Sequence, residues 1–270
     1  MKSAHNRLET KLTQLKEQGE KALATFLMGG DPDLNNSISL CEAVIEGGAD
    51  ILEIGVPFSD PLADGSVNQK AARRALNNGV NINNIFDMVG SLRQRYENIP
   101  IVLLLYYNTI FQYGGAAFQE QARDKGVDGL IIPDLPLEEK ELLADEVDIE
   151  DPIFINLLAP TTMEDRMKNL LMQARGFVYC VSQAGVTGMK DNISPEIFPM
   201  FQKARKYTNI PLLAGFGISN PEQARDICKG ADGVIIGSVL VKEVERYGQQ
   251  GGQAAQVVRN KVQEFKDAIS

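Results

Sequence analysis

The 270-residue sequence has no tryptophan, a single histidine and only three cysteines. The histidine, His5, lies in a polar stretch near the start, which excludes Ser-His-Asp triads, Cys-His pairs and histidine-based zinc sites. Proton transfer would then fall to Glu, Asp, Tyr or Lys. Cys41, Cys180 and Cys228 form no CxxC pair and leave an odd count, which fits reduced thiols used for packing in a cytosol. Positive charge is also scarce: 27 Lys and Arg against 36 Asp and Glu give a net charge of −9. Nucleic acid and anionic membrane both need a basic surface, so this charge argues against either as the main partner. A phosphorylated small molecule is not excluded, because backbone amides bind phosphate without net positive charge. The longest apolar run, Ile101 to Tyr107, is too short for a bilayer, and Met1 to Leu8 lacks the apolar core of a signal peptide. A cytoplasmic protein is expected. No P-loop or GxGxxG fingerprint is present.

What the chain does contain is a series of eight short, near-continuous apolar runs. They are Ala22 to Met28, Asp50 to Val56, Ile101 to Tyr106, Gly129 to Ile132, Ile153 to Leu158, Phe177 to Val181, Pro211 to Ala214 and Gly233 to Ile236. Continuous rather than alternating hydrophobicity is the mark of strands buried on both faces of a parallel sheet. Helical patterns separate them: Asn35 to Glu46, Phe86 to Tyr96, Phe118 to Lys125, Glu138 to Glu146, Glu164 to Ala174, Pro195 to Lys206 and Pro221 to Cys228. Gly48-Ala49-Asp50, Gly126-Val127-Asp128-Gly129 and Gly230-Ala231-Asp232-Gly233 repeat one junction, a glycine ending a helix and an aspartate entering a strand. Eight such units predict a single (β/α)8 barrel domain over residues 1–270, with an open doubly wound sheet as the alternative. Ser3 to Gln18, with Leu8, Leu12 and Leu15 at helical spacing, predicts an extra amphipathic N-terminal helix ended by Gly19.

The step from the second strand to the third is the longest, which predicts an enlarged loop at the barrel end where active sites lie. The loop holds a helix from about Val67 to Asn77 and another from Asn83. The second strand also carries the one residue that breaks its apolar run, Glu53. Strand alternation puts Ile51, Glu53 and Gly55 on one face and Leu52, Ile54 and Val56 on the other. A carboxylate in apolar surroundings costs several kcal/mol unless paired or protonated, so Glu53 is either a chemical group or a strand-end residue that reaches water.

Three glycine-rich stretches follow the last three strands: Ser182-Gln183-Ala184-Gly185-Val186-Thr187-Gly188, Gly215-Phe216-Gly217-Ile218-Ser219 and Gly237-Ser238. Glycine lets backbone amides approach an anion, and a short helix from Ser238 to Glu245 would present its positive end. The three together predict a phosphate cradle; taken one at a time they are ordinary loop glycines.

With these pieces assembled, the chain resembles the tryptophan synthase alpha chain family over essentially its full length. The resemblance is carried by Leu52-Glu53-Ile54-Gly55-Val56-Pro57-Phe58-Ser59-Asp60-Pro61-Leu62-Ala63-Asp64-Gly65 and by Gly185-Val186-Thr187-Gly188, Gly215-Phe216-Gly217-Ile218-Ser219 and Gly237-Ser238. It implies a lyase of tryptophan biosynthesis that splits indole-3-glycerol phosphate into indole and glyceraldehyde 3-phosphate. It implies Glu53 as the acid/base and Asp64 as acceptor of the indole N–H. Phe26, Tyr106, Tyr179, Thr187, Gly188, Phe216, Gly217, Gly237 and Ser238 are expected at the substrate. It further implies a beta chain partner in an alpha2beta2 heterotetramer, docked around Asp60, Pro61, Asn108, Asp134 and Pro136. No cofactor is expected in this chain, pyridoxal phosphate belonging to the beta chain. Two positions depart from the commonest family pattern: Gln183 stands where many members have Arg, and Ser66 where many have Pro. A stand-alone lyase, another phosphate-sugar barrel enzyme such as an isomerase, and a non-catalytic activator of a beta chain are the competing readings.

Overall fold

The computed structural model describes residues 6–139, 151–181, 196–215, 217–250 and 252–270. Nine parallel strands form one sheet: β1 (Ala22–Met28), β2 (Ile51–Gly55), β3 (Ile101–Leu104), β4 (Gly129–Ile131), β5 (Ile153–Phe154), β6 (Asn156–Leu158), β7 (Val178–Val181), β8 (Leu212–Gly215) and β9 (Gly233–Ile236). Their order is β5-β4-β3-β2-β1-β9-β8-β7-β6. The two ends of that order, β5 and β6, are halves of one expected strand, separated only by Ile155. Its first half pairs with β4 and its second with β7, so the chain itself joins the sheet edges and the barrel closes. The nine strands, joined by eight ladders, therefore correspond to the eight strands expected from sequence.

Alternation along each strand builds two apolar layers. Ala24, Ile51, Val102, Ile131, Leu213 and Ile235 fill the barrel interior, while Leu23, Leu52, Ile54, Leu103 and Leu130 face the surrounding helices. Helix α1 (Arg7–Gln18) closes the lower end of the interior with Leu8, Leu12 and Leu15. It ends at Gly19, whose φ of 72° is the left-handed conformation expected of a glycine stop. Ser3 to His5, the first part of the expected helix, lie outside the described residues.

The repeated Gly-x-Asp junction has a physical role at the lower rim. Asp50, Asp128 and Asp232 each donate their own N–H to a carbonyl on the preceding neighbour strand, that of Leu23, Ile101 and Leu212. Each carboxylate then accepts the N–H of that same residue, at 2.9, 2.8 and 2.7 Å. A cation holds each carboxylate from outside: Lys266 on Asp50, Arg93 and Arg7 on Asp128, and Arg205 on Asp232. Strands whose first N–H would be left without a ladder partner are thereby pinned in register.

The outer layer includes α2 (Leu34–Glu46), α3 (Ser66–Asn77), α4 (Ile82–Arg95), α5 (Tyr107–Tyr113), α6 (Gly115–Lys125), α7 (Glu164–Met172), α8 (Ile197–Ala204), α9 (Pro221–Ile227), α10 (Ser238–Tyr247) and α11 (Gly252–Ile269). Both helices expected in the long loop after β2 are present. Of the helix expected over Glu138 to Glu146, Glu138 and Glu139 fall in a 3-10 turn, Leu137–Glu139, and residues 140–146 lie outside the described residues. Two helices were not expected, α5 and the C-terminal α11, although α11 buries Ala254, Val258, Val262 and Phe265 at helical spacing. It packs close to α2, where a Cβ on Gly47 would lie 2.7 Å from the Arg259 carbonyl oxygen.

Candidate active site

The upper ends of the strands bring together residues far apart in sequence around one pocket. Phe26 comes from β1, Glu53 from β2, Tyr179 from β7, Gly217 from the turn after β8, and Gly237 and Ser238 from the junction of β9 with α10. Asp64 joins them from the long loop, immediately before α3. Leu104, Ile131, Leu157 and Ile235 supply apolar walls between the two polar ends.

Glu53 does not reach water. It is 1% exposed, and both of its carboxyl oxygens are buried without a hydrogen-bond partner among the described residues. Burial, with a smaller contribution from the charge of Asp64, pushes its pKa up to about 8. At neutral pH the group therefore holds a proton that it can release.

Asp64 is also buried but is served by donors. The Tyr106 hydroxyl lies 2.9 Å from Asp64 Oδ2, and the same hydroxyl accepts the Ala63 N–H at 2.9 Å. Burial raises the Asp64 pKa, and hydrogen bonds from Tyr106 and Asn68 oppose that rise. Two carboxyl groups in one pocket are thus given different surroundings, one without donors and one with two, which separates their protonation states.

Glycine makes room for the aromatics rather than leaving it empty. A Cβ on Gly55 would lie 2.7 Å from the Phe26 ring, and one on Gly215 would lie 2.5 Å from Tyr179. Both rings are held over the pocket by positions that no larger residue could occupy without displacing them. Burial drives the Tyr179 phenol well above its usual pKa, with Glu53 and Asp64 adding to the effect, so it stays protonated. Tyr106 meets the site through Asp64 and stacks on Phe58 with ring centroids 5.1 Å apart.

On the opposite side, Gly217 has φ of 81°, and Gly237 precedes α10 with no side chain capping that helix. The helix start that the sequence marks as a candidate anion-binding element thus lies at the pocket. Thr187, Gly188, Phe216 and Gln183 lie outside the described residues.

Among the described residues, no group of three or more His, Cys, Asp or Glu is placed to hold a metal ion, and no helix is long and apolar enough to cross a membrane. The expected partner positions Asp60, Asn108 and Asp134 are exposed on the same rim as the pocket, with Pro61 and Pro136 half-buried beside them. Asp134 has an internal role as well, accepting the N–H of Tyr107 at 2.9 Å at the start of α5. Sequence reasoning missed two exposed apolar residues of this rim, Leu62 at 86% and Phe111 at 60%. Leu62 lay within the quoted motif, and only its exposure marks it.

Residues 12–270 match the family described as tryptophan synthase alpha chain. This chain belongs to that family. The tryptophan synthase alpha chain of Alkaliphilus metalliredigens is 45% identical, over 97% of this chain and 98% of its own. That of Methanocaldococcus jannaschii is 42% identical over 92% and 88%. Among solved structures, tryptophan synthase subunit alpha from Legionella pneumophila str. Paris superposes with a TM-score of 0.90 at 34% identity, covering 98% of this chain and 99% of that one. A chain of Mycobacterium tuberculosis tryptophan synthase gives 0.85 at 31% identity, with 98% and 99% covered. The family's fold is the barrel described above.

Proposed function

We propose that this chain, acting as one barrel domain, cleaves indole-3-glycerol phosphate to indole and glyceraldehyde 3-phosphate, the alpha reaction of tryptophan synthase. The observation that carries the proposal is the protonated, donor-free Glu53 placed in one pocket with the donor-served Asp64. Phe26 and the apolar walls receive the flat indole ring, and the amides near Gly217, Gly237 and Ser238 receive the phosphate.

In the first step the Glu53 carboxyl gives its proton to indole C3. The ring nitrogen becomes cationic, and its N–H donates to the Asp64 carboxylate, which stabilises that charge in a water-poor site. The Glu53 carboxylate then takes the proton from the glyceryl hydroxyl next to the C3 side-chain bond. The carbon–carbon bond breaks, its electron pair returns to the ring, and the hydroxyl carbon becomes the aldehyde of glyceraldehyde 3-phosphate. Glu53 ends protonated, as it began, so atoms, protons and charge balance over the cycle. Tyr179 remains a neutral wall beside the ring.

Supporting the partner reading, the rim that holds Asp60, Asn108 and Asp134 also exposes Leu62 and Phe111. Large exposed apolar side chains within a polar rim fit a protein interface. The partner would be a beta chain that receives indole and holds pyridoxal phosphate, in an alpha2beta2 assembly in the cytoplasm. Measuring indole release from indole-3-glycerol phosphate, with and without an added beta chain, tests both parts. Release that accelerates with the beta chain is expected. No release in either condition overturns the lyase, and full release that is indifferent to the beta chain makes the chain a stand-alone enzyme.

A further inference from the structure

Helix α3 is held to the barrel largely by small side chains. Its buried residues are Ala71, Ala72 and Ala75; Ala71 and Ala72, with half-buried Val67, pack with Phe26 and Met28 of β1 and Val241 of α10, while Ala75 joins the outer core. A buried methyl contributes only about 0.8 kcal/mol, so a contact made of alanines and one half-buried valine fixes the helix weakly along its axis. The helix nevertheless starts two residues after Asp64, and its position decides where that carboxylate stands.

The missing constraint is polar. Arg74, two turns into α3, forms a two-point fork on Asp31, with Nε to Oδ1 and Nη2 to Oδ2 both at 2.8 Å. The Asp31 side chain is 2% exposed and sits just beyond the end of β1. The remaining Arg74 nitrogen reaches Glu245 of α10 at 3.4 Å, and Lys70 stands 3.9 Å from the same carboxylate. One guanidinium therefore joins the three elements that carry Phe26, Asp64 and the Gly237-Ser238 amides.

We propose that Arg74 is a positioning residue, setting α3 against β1 and α10 so that Asp64 and the amides of the phosphate cradle face one substrate at a fixed separation. A planar fork gives geometric register that a lysine point charge does not. The ion pair at Glu245 is partly exposed and weak by itself, so the fork on buried Asp31 is the part that matters. The inference rests on the site proposed above and adds the residue that sets its spacing.

The test uses the full chain with Arg74→Lys and Arg74→Met, and Arg175→Met as a control, which breaks an ion pair to Glu9 at the opposite end of the barrel. Displacing a reacting group by about 1 Å costs roughly 10²-fold in rate, so both Arg74 variants should lose about 10-fold or more in kcat. They should also raise KM for indole-3-glycerol phosphate while binding indole alone almost normally. Arg175→Met should lose stability with kcat and KM unchanged. Amide exchange on the same proteins, read independently of turnover, should quicken in both residues 61–68 and 237–241. Native kcat and KM in folded Arg74→Lys, or native protection of both segments, overturns the proposal. If Arg74→Met does not fold, Arg74→Lys decides. A native chain that releases no indole refutes the lyase reading instead, and the exchange result still judges the positioning role.

Discussion

The Tyr106 hydroxyl donates to Asp64 Oδ2 and accepts the N–H of Ala63, both at 2.9 Å, so one phenol fixes the carboxylate and the backbone just before it. Tyr106→Phe keeps the ring that stacks on Phe58 and removes only these two bonds. Stability should fall by about 1 kcal/mol for the lost hydrogen bonding. Because the Tyr106 bond holds the Asp64 pKa down, the acid limb of the rate profile should move to higher pH. Initial rates from pH 5 to 9 check this, and an acid limb in its native place would remove Tyr106 from the role assigned to it.

The aspartate clamps should matter to folding and not to turnover. Asp128 is the most enclosed of the three, holding Ile101 N–H, Arg93 and Arg7. Asp128→Asn keeps the shape but leaves Arg93 without its buried counter-charge. Breaking such a pair costs about 3 kcal/mol or more, reduced here because Arg7 is partly exposed. Urea unfolding should show a loss of roughly 2 to 3 kcal/mol with kcat near native, since the clamp lies at the end of the barrel remote from the pocket. A loss below about 0.5 kcal/mol would show that the ladder alone sets the register.

Ser66 is the first residue of α3, following Gly65 with φ −74° and ψ 164°. That backbone is what a residue before proline adopts, and the first helical position has no internal use for its N–H. Ser66→Pro should therefore stabilise the chain by about 0.4 to 1 kcal/mol through a less free unfolded state. Thermal melts with unchanged kinetics are the expected result. A destabilised variant would mean that the Ser66 N–H has a partner in the working protein.

Much of this arrangement was legible because buried parallel strands leave an apolar run that turn residues punctuate. The face of β2 that carries Ile51, Glu53 and Gly55 followed from alternation alone, and the Gly-x-Asp repeat marked three strand entries. The clamps themselves were not legible, since nothing local says that Asp128 will accept from Ile101, 27 residues earlier. Glu53 remained open between water and burial, a question only the packed barrel answers. Helix α11 did carry its period in Ala254, Val258, Val262 and Phe265, so its omission was a failure to read polar, glycine-led sequence as helix. Nothing local marks Arg74, whose meaning depends on Asp31 lying 43 positions away.

Glu53 gives the sharpest prediction, because its protonation links stability to rate. Its folded pKa of about 8 stands above the ordinary 4.5, so the native state binds the proton more tightly than the unfolded chain. Stability from this group is fully present below about pH 4.5 and is lost progressively as pH rises to about 8, beyond which the loss is constant. At about 1.4 kcal/mol per pKa unit the total amounts to a few kcal/mol. Glu53→Gln cannot ionise and escapes that loss. The variant should gain in melting temperature relative to the native chain between pH 5 and 8, and the difference should level off above pH 8. The native kcat/KM should fall along an alkaline limb centred near the same pH, since the proton delivered to indole C3 is then gone. Glu53→Gln should turn over at least about 10²-fold more slowly at every pH. Paired melting and rate profiles at matched pH decide the matter: a melting difference that is flat with pH would place the titration elsewhere and remove Glu53 as the acid.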